Sequence, residues 1–497
     1  MMKRRDFLKL SAMGMATLMV SRIPRLGVTD AFAVVNRIDV TITDAVKEMV
    51  THNAINNATC YFWIYKMTAF GPDLPAEGVD IPADCPGPTI VGVRGDTVTI
   101  NVTNRLDEPH SLFIPGRLPN DPPLFDSGAI APNQTASGTL TMSQSGAFLY
   151  YDNLNEPVNR VMGLHGALVV RPDNASGRFT PYDNPTPRVQ DLFDDFGSSS
   201  HFPGLSWEEG DPDTLTPPFR AYVWLCHQAS PRLFAEVGNL PAGQIYNATT
   251  FMNKFLRDPF SPTRNNNNPE FFTINGQSGF FGHFSPAITP MGRVGEPVVV
   301  HILNAGLWTH SMHLHANHFY VTSVNGVPSA NPLWLDVYNV FPMDRVDYTV
   351  PFMRPPDIPN EGGMGLPDTP LRSVRGNPVW PPVEEFELHF PDIGEERAED
   401  INGNRIDLAQ RMSPLCYPMH DHTEPSQTAQ GGNYNMGLIS GMYVTGDRNT
   451  NGFMNFPMDE DFAMMYRNIR GLAVDPAADV GEEELRTVIP AAGPRPE

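Results

Sequence analysis

Two short windows hold six of the 14 histidines in this chain. THSMHLHANHF carries His310, His313, His315 and His318, and PMHDHTEP sets His420 and His422 on either side of Asp421. Side chains at i and i+2 of a strand point to one face, about 7 Å apart at the backbone. His313 with His315, and His420 with His422, therefore each form a two-pronged clip, and two such clips on neighbouring strands converge. Neutral imidazoles suit copper, zinc, iron or nickel, whereas magnesium and calcium demand clustered carboxylates in place of paired histidines. A lone histidine is ordinarily solvated or part of a packed network; this clustering predicts a metal site, with a purely hydrogen-bonded histidine network as the alternative. Asp421 on a strand points away from its two neighbours, which predicts a structural or orienting role. His110, His165 and His227 stand outside the windows and are expected as hydrogen-bonded core or interface residues.

Short strands are the expected carriers of these clips. The chain has 50 prolines and 41 glycines in 497 residues and no long stretch of period 3.6, so an all-β fold of many strands and turns is predicted. It also repeats itself. VRGDTVTINVTN (93–104) is echoed by RVGEPVVVHILNAG (293–306), with Val98, Ile100 and Val102 on one strand face and Val298, Val300 and Ile302 on the other copy's. FLYYDNLNEP…MGLHGALVV (148–170) matches CYPMHDHTEP…MGLISGMYV (416–444), placing Tyr151-Asp152-Asn153 where the second copy has His420-Asp421-His422. Two copies of one β-sandwich are implied, with histidine clips in the second alone.

The expected organisation is an export signal over 1–33, a first domain without ligands over 34–172, a linker over 173–188, a second domain over 189–470 and an acidic tail over 471–497. Residues 351–382 contain nine prolines and read as a loop inserted in the second domain, since proline removes the backbone donor that a helix or central strand needs. EDINGNRID (399–407) places its glycine wrongly for a calcium loop and reads as a turn.

Arg4 and Arg5 before the apolar run LSAMGMATLMV and the small residues AFA at 31–33 fit a twin-arginine signal. The run is shorter than the roughly 20 residues that a membrane span needs, so a periplasmic protein with no membrane span is expected. Removing 1–33 takes away six Lys/Arg and two Asp/Glu and moves the net charge from −22 to −26. So acidic a chain does not seek nucleic acid. In an oxidising compartment the four cysteines are disulfide candidates, with Cys60–Cys85 and Cys226–Cys416 the expected pairs and a thiolate metal ligand at Cys416 the alternative.

PGPTIVGVRGDTVTINVTNRLDEP (86–109), HSMHLHANHF (310–319) and the MHDH…MGLISGMYV ending together resemble the multicopper oxidases, a laccase-like family of cupredoxin domains. FFTING (271–276) leads straight into the histidine segment, as in two-domain members. The resemblance implies two cupredoxin-like Greek-key sandwiches and copper as cofactor. Family members hold three coppers with four His-x-His pairs, two from the first domain and two from the last. The last-domain pairs correspond to His313 with His315 and His420 with His422. The first-domain positions hold Phe113, Pro115, Tyr151 and Asn153 instead. Of the electron-entry copper, His310 matches one ligand, Asp421 stands where the cysteine belongs, and the second histidine falls near Asn433.

Half a cluster completes none of the three coppers, so the four histidines are expected either to close on one metal or to await a partner chain. Relatives with two domains form trimers with clusters between subunits, but a homo-oligomer of this chain would present the same histidine-free first domain. The leading reading is a periplasmic copper-dependent oxidoreductase with a reduced site, acting on a small molecule or metal ion, with Asp421 orienting the site or carrying a proton. The alternatives are copper storage or tolerance without turnover, for which the 23 methionines are a weak pointer, and a copper-free scaffold like the family's cell-division member.

Overall fold

The computed structural model describes residues 17–19, 35–49, 58–72, 74–81, 84–172, 180–196, 220–257, 269–279, 288–293, 297–315, 318–351, 415–423 and 437–446. Two sheets build the first half. One runs in the order Val79–Asp80, Ala58–Phe70, Arg37–Met49, Thr97–Asn104, Thr135–Thr141. The other runs Thr17–Met19, Thr89–Val93, His165–Arg171, Gly146–Tyr151, Phe113–Ile114, Phe125–Asp126. Period-two patterning makes the strands: along Thr97–Asn104 the residues Val98, Ile100 and Val102 are buried while Thr97 and Thr99 face out. With Ile38, Val40, Phe62, Phe148 and Leu168 they form the first core.

The second half repeats the plan strand for strand. Arg220–Ala229 lies parallel to Pro297–Asn304, as Arg37–Met49 lies parallel to Thr97–Asn104. Its other sheet runs Met291–Arg293, Ile439–Gly446, Leu415–Asp421, His310–Leu314, Val337–Val340. Val298, Val300 and Ile302 point into the second core with Trp224, Met312 and Met419. Leu303, on the reverse face of that strand, packs with Val223 and Leu225 against Val91, Leu149, Ala167 and Val169 of the first half. A strand buried on both faces must be apolar at nearly every position, and this is why VVVHIL lacks the clean alternation of its counterpart TVTINV.

Two additions break the symmetry. Phe319–Val324 and Val327–Leu335 form a hairpin around Asn325-Gly326, both with positive φ (51° and 78°), the pair such a tight turn favours. Pro231–Gly238 and Ala248–Phe255 are short helices capped by Ser230 and Asn247. Phe234, Phe251 and Phe255 carry them into the first half's core, where Phe234 meets Phe62 edge-on at 5.5 Å. Eight residues give only two turns, too few for a 3.6-residue period to stand out in a proline-rich sequence.

The far end of the expected linker is packed. Tyr182 is buried, with its hydroxyl 2.8 Å from Thr322 and 3.0 Å from Asp347, and a helix spans Pro187–Phe196. Residues 173–179 lie outside the described residues, as do 352–382 of the insertion, the 399–407 turn and the 471–497 tail. Of the expected signal only Thr17–Met19 is described, as a strand parallel to Thr89–Val91. No described helix is long and apolar enough to cross a membrane.

The disulfide expectation is corrected. Cys60, Cys85 and Cys226 are buried free thiols, and no disulfide occurs among the described residues; the side chain of Cys416 lies outside them. Cys226 points into the second core beside Ile274. Cys60 and Cys85 both belong to the first core, where burial raises the pKa of each thiol and keeps it protonated.

Candidate metal centre

His310–Leu314 pairs antiparallel with Leu415–Asp421, with His313 opposite His420 and Met312 opposite Asp421. That register decides everything on this sheet, because a slip of one residue would turn every side chain to the other face. His310, Met312, Leu314, Met419 and Asp421 face the core. The alternate residues His313 and His420 face the other way, joined by His315 and His422 just beyond the strand ends.

Those four rings touch. His315 Nε2 lies 2.7 Å from His420 Nε2, and ring centroids are 4.6 Å apart for His313 and His422, 4.9 Å for His420 and His422 and 5.0 Å for His313 and His315. Ligand atoms of His313, His420 and His422 all lie within 4.8 Å of one another. His313 donates Nδ1–H to the carbonyl of Asp336 at 3.0 Å, and His420 donates its own to the carbonyl of Asp421 at 3.1 Å. Both therefore turn a lone pair on Nε2 toward the cluster, with the ring held by a backbone acceptor, the usual arrangement of a metal-bound imidazole. Burial first, then the neighbouring rings, lowers the pKa of His315 and His420, favouring the neutral, ligating form. His420 is buried, while His315 and His422 are exposed, so the cluster opens to solvent on one side.

His310 does not join them. It is fully buried with both nitrogens engaged: Nδ1 lies 2.5 Å from Asp421 Oδ2, and Nε2 lies 2.6 Å from the Gln228 amide nitrogen. Gln228 Oε1 accepts from Leu307 N, so its nitrogen donates, His310 Nε2 accepts and Nδ1–H goes to Asp421. The expectation of His310 as a metal ligand is corrected by this: the ring faces the core and has no lone pair to offer. Asp421 is equally committed, since Oδ1 accepts from the amides of Ser311 at 2.6 Å and Thr423 at 2.9 Å. Its side chain braces the backbone of both clip strands, and its carbonyl orients the His420 ring.

The first half reproduces the brace without the clip. His110 Nδ1 lies 2.6 Å from Asp152 Oδ2, and Ser111 Oγ donates to Asp152 Oδ1 at 2.8 Å. Phe113 pairs with Tyr151 in the register that His313 and His420 share, and their rings meet edge-on at 5.6 Å. An aromatic contact thus fills the place of two imidazoles, with Pro115 and Asn153 at the other two positions.

A second group has no signature along the chain. Ligand atoms of Cys85, His165 and His227, all buried, lie within 4.8 Å of one another. No spacing could have signalled it, because the three come from a loop and two strands far apart in the chain. His110, His165 and His227 are buried and hydrogen-bonded, as expected.

Comparison with known proteins gives two family matches, both described as multicopper oxidase, over residues 66–175 and 253–354. Among curated proteins, copper resistance protein A of Escherichia coli is 30% identical over 90 residues, 17% of this chain and 14% of that one. L-ascorbate oxidase of Cucumis sativus is 30% identical over 130 residues, 24% of this chain and 22% of that one. The matched stretches thus span less than a quarter of either relative. Among solved structures, a blue copper oxidase from Nitrosomonas europaea is 15% identical with a TM-score of 0.45, covering 82% of this chain and 85% of that one. The multicopper oxidase mgLAC is 16% identical with a TM-score of 0.44, covering 84% and 87%.

Proposed function

This chain belongs to the multicopper oxidase family, and from that premise we propose that it is an exported, copper-dependent oxidoreductase whose metal is one copper ion held by His313, His315, His420 and His422. The observation that carries this reading is the convergence of the four rings, with His315 Nε2 2.7 Å from His420 Nε2 and three ligand atoms within 4.8 Å of one another. The donor set fits the metal. It is all imidazole, borderline-soft and free of carboxylates, and two of its N–H groups are already spent on backbone carbonyls. Bound there, copper supplies a Lewis acid or a one-electron couple.

A single ion is the stoichiometry that the chain's own residues favour. The family's three-copper cluster draws on histidines from both ends of the protein, and here the first half offers Phe113, Pro115, Tyr151 and Asn153. His315 and His422 leave the site open on its exposed side to a small molecule or a metal ion as substrate. Asp421 keeps the clip strands in place through Ser311 and Thr423 and stays out of the chemistry.

A second reading, copper binding without turnover, is favoured by the His310–Asp421 pair. It fills with a hydrogen bond the place where an electron-entry copper would need a thiolate, so a fast inlet for electrons is missing. Elemental analysis and electron paramagnetic resonance of copper(II)-loaded, desalted protein decide whether the site exists. One nitrogen-ligated copper(II) per chain is expected at this site, lost when His313→Ala and His420→Ala are combined. Equal copper(II) in the double variant would sink both readings, and oxygen uptake with a reductant then separates turnover from storage.

A further inference from the structure

Away from the four histidines, one place in the fold gathers soft ligand atoms. Val169, Ala167 and His165 alternate along one strand of the first half, and Val223, Leu225 and His227 along one strand of the second. The apolar members of both rows pack together in the seam between the halves. At its end the rows stop being apolar, and the rings of His165 and His227 face each other with centroids 4.4 Å apart. Cys85 closes the group, its Sγ against Gly163, whose φ of +125° turns the backbone there and where an added Cβ would lie 3.1 Å from the sulfur. Exposures are 3% for Cys85, 0% for His165 and 2% for His227.

The hydrogen bonds of the two rings fix what they offer. His165 Nδ1–H goes to the Arg160 carbonyl at 2.8 Å, and its Nε2 is buried with no hydrogen-bond partner. His227 Nε2–H goes to the Val161 carbonyl at 2.8 Å, leaving the lone pair on Nδ1. Consecutive carbonyls of one short helix thus orient both rings as neutral donors. An apolar seam has no use for an unpaired imidazole nitrogen, since a buried acceptor without a donor destabilises the fold.

We propose that Cys85, His165 and His227 form a second metal centre, which binds one copper(I) ion through a thiolate and two imidazoles. The metal is chosen by charge and coordination number. One thiolate neutralises one monovalent ion, so the filled site carries no net charge into the seam, whereas a divalent ion would leave a buried positive charge, which is costly. Lys47 reinforces the choice, with its ammonium 3.2 Å from the Cys85 carbonyl. Asp84, the nearby carboxylate, is held by Lys47 at 2.9 Å and by the Cys85 amide at 2.7 Å. Three donors suit a trigonal ion, and metal–ligand bonds near those of zinc sites, about 2.0–2.3 Å, would set them roughly 3.6 Å apart. With all three ligand atoms already within 4.8 Å of one another, the trio needs at most a small closure to reach that spacing. Binding displaces the thiol proton to solvent and involves no change of oxidation state.

The centre is independent of the four-histidine site, and the experiment keeps the two apart. The full chain, purified without metal under reducing conditions, is titrated with copper(I) against a colorimetric copper(I) chelator, and the loaded protein is examined by X-ray absorption. Relative to the unaltered chain, Cys85→Ser is expected to lose one equivalent of copper(I) and the copper–sulfur scattering, while the His313→Ala, His420→Ala double variant keeps both. Should Cys85→Ser fail to fold, His227→Gln preserves an N–H for the Val161 carbonyl and should lose the same equivalent. Undiminished copper(I) capacity and sulfur scattering in the folded variants would overturn the proposal. So would recovery of Cys85 in a disulfide with Cys60 from exported protein.

Discussion

His310 gives its Nδ1 proton to Asp421 across 2.5 Å, inside a core that admits water to neither. The pair is not an accident of one strand, because His110 and Asp152 repeat it at 2.6 Å in the first half. Its purpose is therefore the one common to both halves, fastening the strand after a turn to the strand that lies beside it. The metal-binding imidazoles are built on top of that brace in one copy and omitted in the other.

Removing the brace should cost stability in both halves and metal affinity in one. Asp421→Ala leaves His310 and the amides of Ser311 and Thr423 without their acceptor, a loss in urea unfolding of about 1–3 kcal/mol for each donor left unsatisfied in the buried site. Asp152→Ala is expected to destabilise comparably. Only Asp421→Ala should also weaken copper(II) at the four-histidine cluster, because only there does the brace hold ligand strands. Equal copper affinity in the two variants would show that Asp421 has no positioning role.

Glu108 gives the chain a stability that depends on pH. Burial, its largest cause, raises the carboxyl from 4.5 to about 7, against an opposing pull from His110. The fold thus prefers the protonated acid. Its cost is absent below the unfolded value near 4.5, grows as pH rises and is complete above about 7. Glu108→Gln should accordingly be more stable than the unaltered chain at pH 8, with the gain fading by pH 5, in denaturant midpoints measured at both. A gain independent of pH would refute the assignment.

The two short helices should act as part of the first half although they follow the first strand of the second. Phe234→Ala removes a fully buried ring stacked on Phe251 and Phe255 and edge-on to Phe62. A loss of about 3–5 kcal/mol is expected, with Phe234→Leu losing less. Thermal unfolding of the pair checks it, and a change below about 1 kcal/mol would mean that the helices merely lie on the surface.

Local geometry explains how much of this is legible in the chain. Strand patterning, the internal repeat and the two histidine clips depend on the two-residue period of an extended chain, which sequence shows directly. That is why spacing alone assigns Val98, Ile100 and Val102 to one face and pairs His313 with His315 and His420 with His422. The same period says nothing of which face meets which neighbour. It sets His310, three residues before His313, on the opposite face, but its partners Asp421 and Gln228 come from strands remote in sequence.

By itself, then, the sequence determined that this is a duplicated β protein with imidazole clips in its second copy, because those properties are periodic along the chain. The tertiary structure alone decided that His310 is a brace, that Cys60 and Cys85 stay free thiols and that Cys85, His165 and His227 meet. Each of these depends on contacts between strands and loops remote in sequence, set by how two sandwiches share one seam and by which atom a buried carbonyl leaves unpaired. No spacing along the chain encodes such a contact.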